Sequence, residues 1–189
     1  MKLFHQRGYD GVGVAELSKA IGITAPSLYS AFGNKQSLFE QVLQRYVQDN
    51  GEWLTAVLAL EDTLDHTMTR LFLCAAKIYS TDPERPGCLV IDGTRNCCND
   101  EARLLTAGFR QATRQLIGDR IAADEPNLSQ AAINTLSDYV LTILVGLSGS
   151  ARDGMTAAAL AAIAEIAATG FIQQLQQYRD EADKPKNSA

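Results

Sequence analysis

Between Ile23 and Lys35 lies a set of side chains suited to the surface of a polyanion. Thr24, Ala25, Ser27 and Ser30 are small, and Tyr29 and Lys35 are long enough to reach past them. Hydroxyls bond phosphate oxygens or base edges, a methyl such as that of Ala25 packs on a thymine methyl, and an ammonium pairs with a phosphate. A helix enters the major groove of duplex DNA only if its leading face is slim, and this face is slim. Lys2, Arg7, Lys19, Lys35 and Arg45 face three acids over residues 1–45, whereas the rest of the chain carries 12 basic and 19 acidic residues. A mildly basic head on an acidic body suits a chain that touches phosphates at one end only.

Catalysis has no comparable constellation. His5 and His66 are far apart in sequence, a phosphate-cradling glycine loop is absent, and Cys74, Cys88, Cys97 and Cys98 lack the spacing of a paired zinc site. No enzyme, cofactor or metal centre is expected. One thiol stands out. Cys88 follows Pro86 and Gly87 at an expected helix start, where free N–H groups, the helix dipole and nearby Arg85 favour thiolate, making it the candidate redox residue. The adjacent Cys97 and Cys98 compete as a soft-metal pair, and Met68 and His66 are further soft-metal donors. The other reading of all four thiols is inert core.

The elements that must hold these residues are helices, because apolar residues recur at helical spacing and no stretch alternates over a strand's length. Val14 to Ile21 is a first short helix, stopped by Gly22. Ala25 to Phe32 is a second, capped by Thr24, with Pro26 tolerated in its first turn and Leu28 and Phe32 inward. Lys35 to Asn50 is a longer amphipathic helix joining head to body. Further helices are expected at Trp53 to Ser80, Glu101 to Ala123, Ser129 to Ser150 and Thr156 to Tyr178, with a short one near Cys88. Two short helices about a glycine turn, the second with small polar residues outward, form a helix-turn-helix.

The run Gly8-Tyr9-Asp10-Gly11, Ala15-Glu16-Leu17-Ser18, Ile21-Gly22-Ile23, Ser27-Leu28-Tyr29-Ser30-Ala31-Phe32 and Lys35-Gln36-Ser37-Leu38-Phe39 resembles the TetR family of transcriptional regulators. The resemblance implies that Thr24, Pro26, Ser27, Tyr29 and Ser30 are recognition-helix positions and that Lys35 starts the next helix near a phosphate. It also implies a dimer, a small-molecule effector and repression of transcription from palindromic sites in double-stranded DNA. Pro86-Gly87-Cys88-Leu89 looks like a loop-to-helix element of one branch of that family in which the cysteine can be reactive. Two positions depart from the pattern: Gly13 replaces a Thr or Ser cap, and Ala31 a frequent His. Met1 to Phe4 fall inside the family's first helix, so more of that helix and a basic arm are expected upstream.

The expected fold is all-α, with a helix-turn-helix DNA-binding domain at 1–46, a ligand-binding and dimerisation domain at 47–180 and a loose tail at 181–189. Hydrophobic content of 46% and charged content of 21% are those of a packed globular chain. The apolar run Tyr139 to Leu147 is too short to span a bilayer, so no membrane is expected and the cytoplasm is. That run and the alanine-dense Thr156 to Ala168 are apolar around most of their girth; they pair with their twins across a twofold axis or fill a monomer's core. Trp53, Leu71, Phe72, Ala75, Tyr79, Leu89, Phe109 and Tyr139 are candidate ligand-pocket walls, each equally at home in plain core. Two functions follow: an effector-released repressor, or a thiol or soft-metal switch on the same scaffold.

Overall fold

The computed structural model describes residues 1–184, and every regular element among them is a helix. The head comprises α1 (Lys2–Arg7), α2 (Val14–Ile21) and α3 (Ala25–Phe32), and α4 (Lys35–Asn50) leads out of it. The body comprises α5 (Glu52–Leu58), α6 (Leu64–Thr81), α7 (Leu89–Asp92), α8 (Asp100–Asp124), α9 (Gln130–Arg152) and α10 (Ala157–Ala182).

The head packs around aromatic rings. Phe4 and Phe39 are fully buried with centroids 5.0 Å apart, and Tyr9 lies 5.1 Å from Phe39. This core does not close on itself: Leu89, Val90, Cys97 and Ala102, from α7, the following loop and the start of α8, complete it. The backbone ties the same parts together, Tyr9 N donating to Gly93 O at 2.7 Å. From the far end of the chain, Arg152 donates to the carbonyls of His5 (2.7 Å) and Gln6 (3.1 Å). Those are last-turn carbonyls of α1 without helical partners, and a cation is favoured there by the helix dipole as well.

The body core is built from Met68, Leu71 and Phe72 of α6, Ile117 and Ile121 of α8, Leu136 and Val140 of α9, and Leu160, Ala164 and Phe171 of α10. The single helix expected from Trp53 to Ser80 is instead two. Thr63 caps α6 by accepting from His66 N at 3.3 Å, and the chain before it turns back on itself. Arg120 makes that turn stable by donating to the carbonyls of Leu58, Leu60 and Asp62 at 2.6 to 2.8 Å. The tail is also corrected. Of the expected tail, Glu181 and Ala182 continue α10, which Arg179 anchors on Asp65 (3.2 Å) and on Glu125; residues 185–189 lie outside the described part.

α9 and α10 reach a mean hydropathy of 1.4 over 18 residues, enough by length and composition to cross a membrane although no uninterrupted apolar run exists. In the fold they are bundle helices: α9 buries Ser137 and Ser148 as well as Val140 and Leu144, and α10 packs along α6.

Candidate nucleic-acid interface and ligand cavity

The helix-turn-helix depends on two glycines with left-handed φ. Gly22 (φ 79°) ends α2 and returns its N–H to Ser18 O at 2.9 Å, and Gly33 (φ 78°) ends α3; a side chain at either would strain the turn. Leu28 is fully buried and fixes which face of α3 looks inward. Thr24, Pro26, Ser27, Tyr29 and Ser30 are consequently exposed and Ala25 partly so, which brings the expected contact residues together on one outward surface. Thr24 is first of all a cap: its Oγ1 accepts from Ser27 N at 3.3 Å and lies 2.9 Å from Ser27 Oγ. Tyr29 keeps 49% of its surface exposed, so its ring and hydroxyl are accessible from the outward side. Lys35 is partly buried, its Nζ 4.2 Å above the Tyr9 ring, and burial lowers its pKa against the opposing pull of Asp10. It begins α4, where Asn34 caps by accepting from Ser37 N at 2.7 Å.

A second feature is a cavity of about 350 Å³ between α4, α5, α8 and α9. Trp53, Tyr79 and Phe109 line it, Trp53 and Tyr79 meeting edge to face at 6.3 Å. The other candidate walls lie elsewhere. Leu71, Phe72 and Ala75 are fully buried in the body core, one to two turns nearer the start of α6 than Tyr79, and do not reach the cavity. Leu89 belongs to the head's core, and Tyr139 donates its hydroxyl to Ala167 O at 2.9 Å between α9 and α10. Sequence reasoning missed Tyr46, Val90, Ile91, Arg110, Leu116, Leu141 and Leu144 as cavity walls. Arg110 carried a usable signal: it follows Phe109 on a face of α8 that otherwise presents Leu105, Ala112, Thr113 and Leu116.

Cys88 lines the same cavity, but not as an activated thiolate. α7 is only four residues long, the partial exposure of Cys88 is to the cavity, and loss of bulk water pushes its thiol up despite backbone N–H groups and the Tyr46 hydroxyl. Burial likewise holds the phenols of Tyr46 and Tyr79 protonated. Cys97 is buried and its sulfur accepts from Asn99 N at 3.4 Å; Cys98 is exposed, and Cys74 sits on α6. Among the described residues no three His, Cys, Asp or Glu side chains gather into a metal site.

Behind the cavity lies a buried polar chain. Cys88 N donates to Ser148 Oγ at 2.7 Å, and Ser148 donates to Asp92 Oδ2 at 2.6 Å. Asp92 Oδ1 has no hydrogen bond; Arg95 Nε stands 3.6 Å away, an ion pair too long to be one.

Comparison with known proteins agrees with this geometry. Residues 1–42 match the family model described as bacterial regulatory proteins, tetR family. The chain is 34% identical over 165 residues to the HTH-type transcriptional repressor BdcR of Escherichia coli (strain K12), covering 87% of this chain and 81% of that protein. It is 29% identical over 178 residues to the HTH-type transcriptional repressor ComR of the same organism, covering 89% and 82%. A solved structure of a cysteine mutant of the TetR family transcriptional regulator CifR, complexed with 26bp double-strand operator DNA, superposes with a TM-score of 0.80 at 28% identity, covering 89% of this chain and 91% of that one. With a helix-turn-helix at its start, a relative of this identity spanned over most of its length, and the same fold seen on DNA, the chain belongs to the TetR family of bacterial transcriptional regulators.

Proposed function

We propose that the protein is a homodimeric repressor that binds a palindromic operator through α3 and is released when a small molecule enters the cavity. The observation that carries this is the outward face of α3, slim and hydroxylated, in a chain whose 34% identical relative is a transcriptional repressor. Residues 1–46 serve as the reading head and 47–180 as the sensing and dimerising body. The ligand is bound and not turned over, so no catalytic group is required, and the work is done in the cytoplasm where the DNA is.

Dimerisation through α9 and α10 is supported by what a single chain leaves uncovered. Ile163 (46%) and Ile166 (67%) are exposed on α10 beside exposed Ala162, and Gly146 on α9 has open space where a Cβ would stand. Large apolar side chains left in water on a small-residue helix face suit a close helix–helix contact with a twin. Two heads held at a fixed spacing then meet two half-sites about one helical turn, roughly 34–36 Å, apart. An effector releases DNA only by favouring an arrangement with another spacing.

The test is selection of bound fragments from genomic DNA by the full chain, followed by fluorescence anisotropy on the selected duplexes. A marked preference over random duplex, falling steeply with salt, is expected. Equal binding to selected and random duplexes at moderate salt would overturn the proposal.

A further inference from the structure

The arginines of α8 are not alike. Arg103 pairs with Asp100 at 3.1 Å, Arg114 with Asp138 and Arg120 with Asp124 at 2.9 Å. Arg110 pairs with no carboxylate of a described residue; its Nη1 donates to Val90 O at 3.1 Å, and it stands in the cavity wall beside Phe109. Partial burial disfavours its charge, with the Cys88 thiol pulling the other way and no carboxylate beside it. A guanidinium has five donors in a planar fork, so most of its hydrogen-bonding capacity remains open.

The rest of the wall narrows what fills that capacity. Trp53, Tyr79 and Phe109 make it aromatic, and the phenols of Tyr46 and Tyr79 are held protonated as O–H groups. Its acid, Glu52, is solvent-exposed at the start of α5. The enclosed part is thus apolar with one cationic, donor-bearing pole, and its volume of about 350 Å³ falls in the ordinary range for small-molecule sites, roughly 300–1,000 Å³. A planar carboxylate matches a single guanidinium fork; a phosphate or sulfate brings more charge and more acceptors than one arginine serves.

We propose that the cavity takes an apolar or aromatic molecule bearing one carboxylate, with Arg110 as its anchor, which rests on the cavity being the effector site assigned above. The position of Arg110 also gives the ligand a route to the head. Its bond to Val90 O holds α7, and Gly93, directly after α7, accepts from Tyr9 N at 2.7 Å. A carboxylate that draws the guanidinium away frees the segment on which the head is docked.

The experiment is isothermal titration of the full chain with two matched pairs, cinnamate with cinnamamide and octanoate with octanamide. It is run on wild type, Arg110→Met and Arg110→Lys, with anisotropy of the operator complex alongside. In wild type each acid binds about tenfold or more tightly than its amide, the scale of a charge-assisted hydrogen bond. In Arg110→Met the acid's advantage disappears while amide binding persists, and Arg110→Lys retains part of it. Acids no tighter than amides in wild type, absence of binding by either acid, or an advantage unchanged in Arg110→Met would each overturn the proposal. Should Arg110→Met fail to fold, the wild-type pairs and Arg110→Lys still decide. The DNA readout separates this inference from the function beneath it. Arg110-dependent acid binding that leaves the operator complex intact removes the effector reading and keeps the site, whereas amides that release DNA as well as acids keep the effector reading and remove the carboxylate.

Discussion

The ring of Tyr46 meets the ring of His5 edge to face, with centroids 5.4 Å apart and planes at 84°. Tyr46 is a wall of the cavity and His5 a buried residue of α1, so one aromatic contact joins the cavity to the helix-turn-helix head. The same histidine is held on two further sides: its Nε2 lies 3.2 Å from Gly87 O, and its own carbonyl takes the bond from Arg152.

His5 makes the head sensitive to acid. Burial, chiefly, with Arg152 and Arg85 adding to it, depresses its pKa below the usual 6.5, against the Gly87 carbonyl and Asp92. The unfolded chain therefore binds the proton first. The stability that neutral His5 contributes is fully present above pH 6.5 and declines as pH falls from there through the lowered folded value. Urea midpoints measured from pH 7.5 downward should fall more steeply for wild type than for His5→Gln. Parallel curves would show that His5 titrates as it does in the unfolded chain.

Gly87 is the tightest point of this junction. Its φ is +80°, and a Cβ there would stand 2.7 Å from Asp92 Oδ2, 2.8 Å from Arg152 Cγ and 2.9 Å from Ser148 O. Gly87→Ala combines a left-handed strain with overpacking, each costing about 1–3 kcal/mol. Denaturation should show a loss of roughly 2–5 kcal/mol, with DNA affinity falling too because α1 is displaced. A loss under about 1 kcal/mol would mean that α7 shifts freely.

How much of this was legible in the sequence depended on whether a signal was local. Gly22, Thr24, Pro26 and Gly33 act on their own few residues, and the helix-turn-helix could be read from them. The break before α6 had a local signal as well, Asp62-Thr63 ahead of Leu64, but the apolar periodicity on both sides masked it; the stabilising group, Arg120, lies far along the chain. The cavity had the least to read. Tyr79 and Phe72 lie two turns apart on one face of α6 and both belong to the body core, yet only Tyr79, near the end of the helix, also borders the cavity, a difference set by where the neighbouring helices end. Cys88 shows the same contrast: proximity to a helix start and to Arg85 favours a thiolate, whereas burial, visible only in three dimensions, pushes the thiol up.

At the DNA face, Tyr29 and Lys35 on one side and Ser27 and Ser30 on the other should divide in effect. Tyr29→Ala and Lys35→Ala should weaken binding to all duplexes and, for Lys35, reduce the salt slope by about one. Because the Lys35 ammonium rests on Tyr9, Lys35→Ala should also cost about 0.5–1 kcal/mol of stability, the range for an accessible cation–π contact. Ser27→Ala and Ser30→Ala should instead change which fragments are selected. Uniform loss in all four variants would place base reading elsewhere.

Ala162→Arg and Gly146→Arg put a charge on the uncovered faces of α10 and α9. Each side chain has room in the single chain, so folding should persist while pairing is lost. Light scattering should report monomers, and affinity for a two-half-site operator should drop well below that of wild type. An intact dimer in both variants would exclude this pair of helices as the contact.

The buried chain Cys88–Ser148–Asp92 supplies the most local test of how α7 is held. Ser148 Oγ accepts from Cys88 N and donates to Asp92 Oδ2, so a single hydroxyl satisfies two buried groups. Asp92 already leaves Oδ1 without a hydrogen bond, which makes Oδ2 the oxygen on which its burial depends. Ser148→Ala removes one oxygen and leaves almost no void, so packing contributes little to the loss. Two unsatisfied polar groups cost about 1–3 kcal/mol each, and a loss of roughly 2–4 kcal/mol is expected by urea denaturation at neutral pH. Hydrogen exchange at Cys88 N should accelerate in parallel, since that amide loses its acceptor. Ser148→Thr keeps the hydroxyl and should retain the slow exchange even where the extra methyl reduces stability. If Ser148→Ala costs under about 1 kcal/mol and leaves the Cys88 amide protected, another group has taken the place of the hydroxyl, and α7 is not held to α9 by this chain.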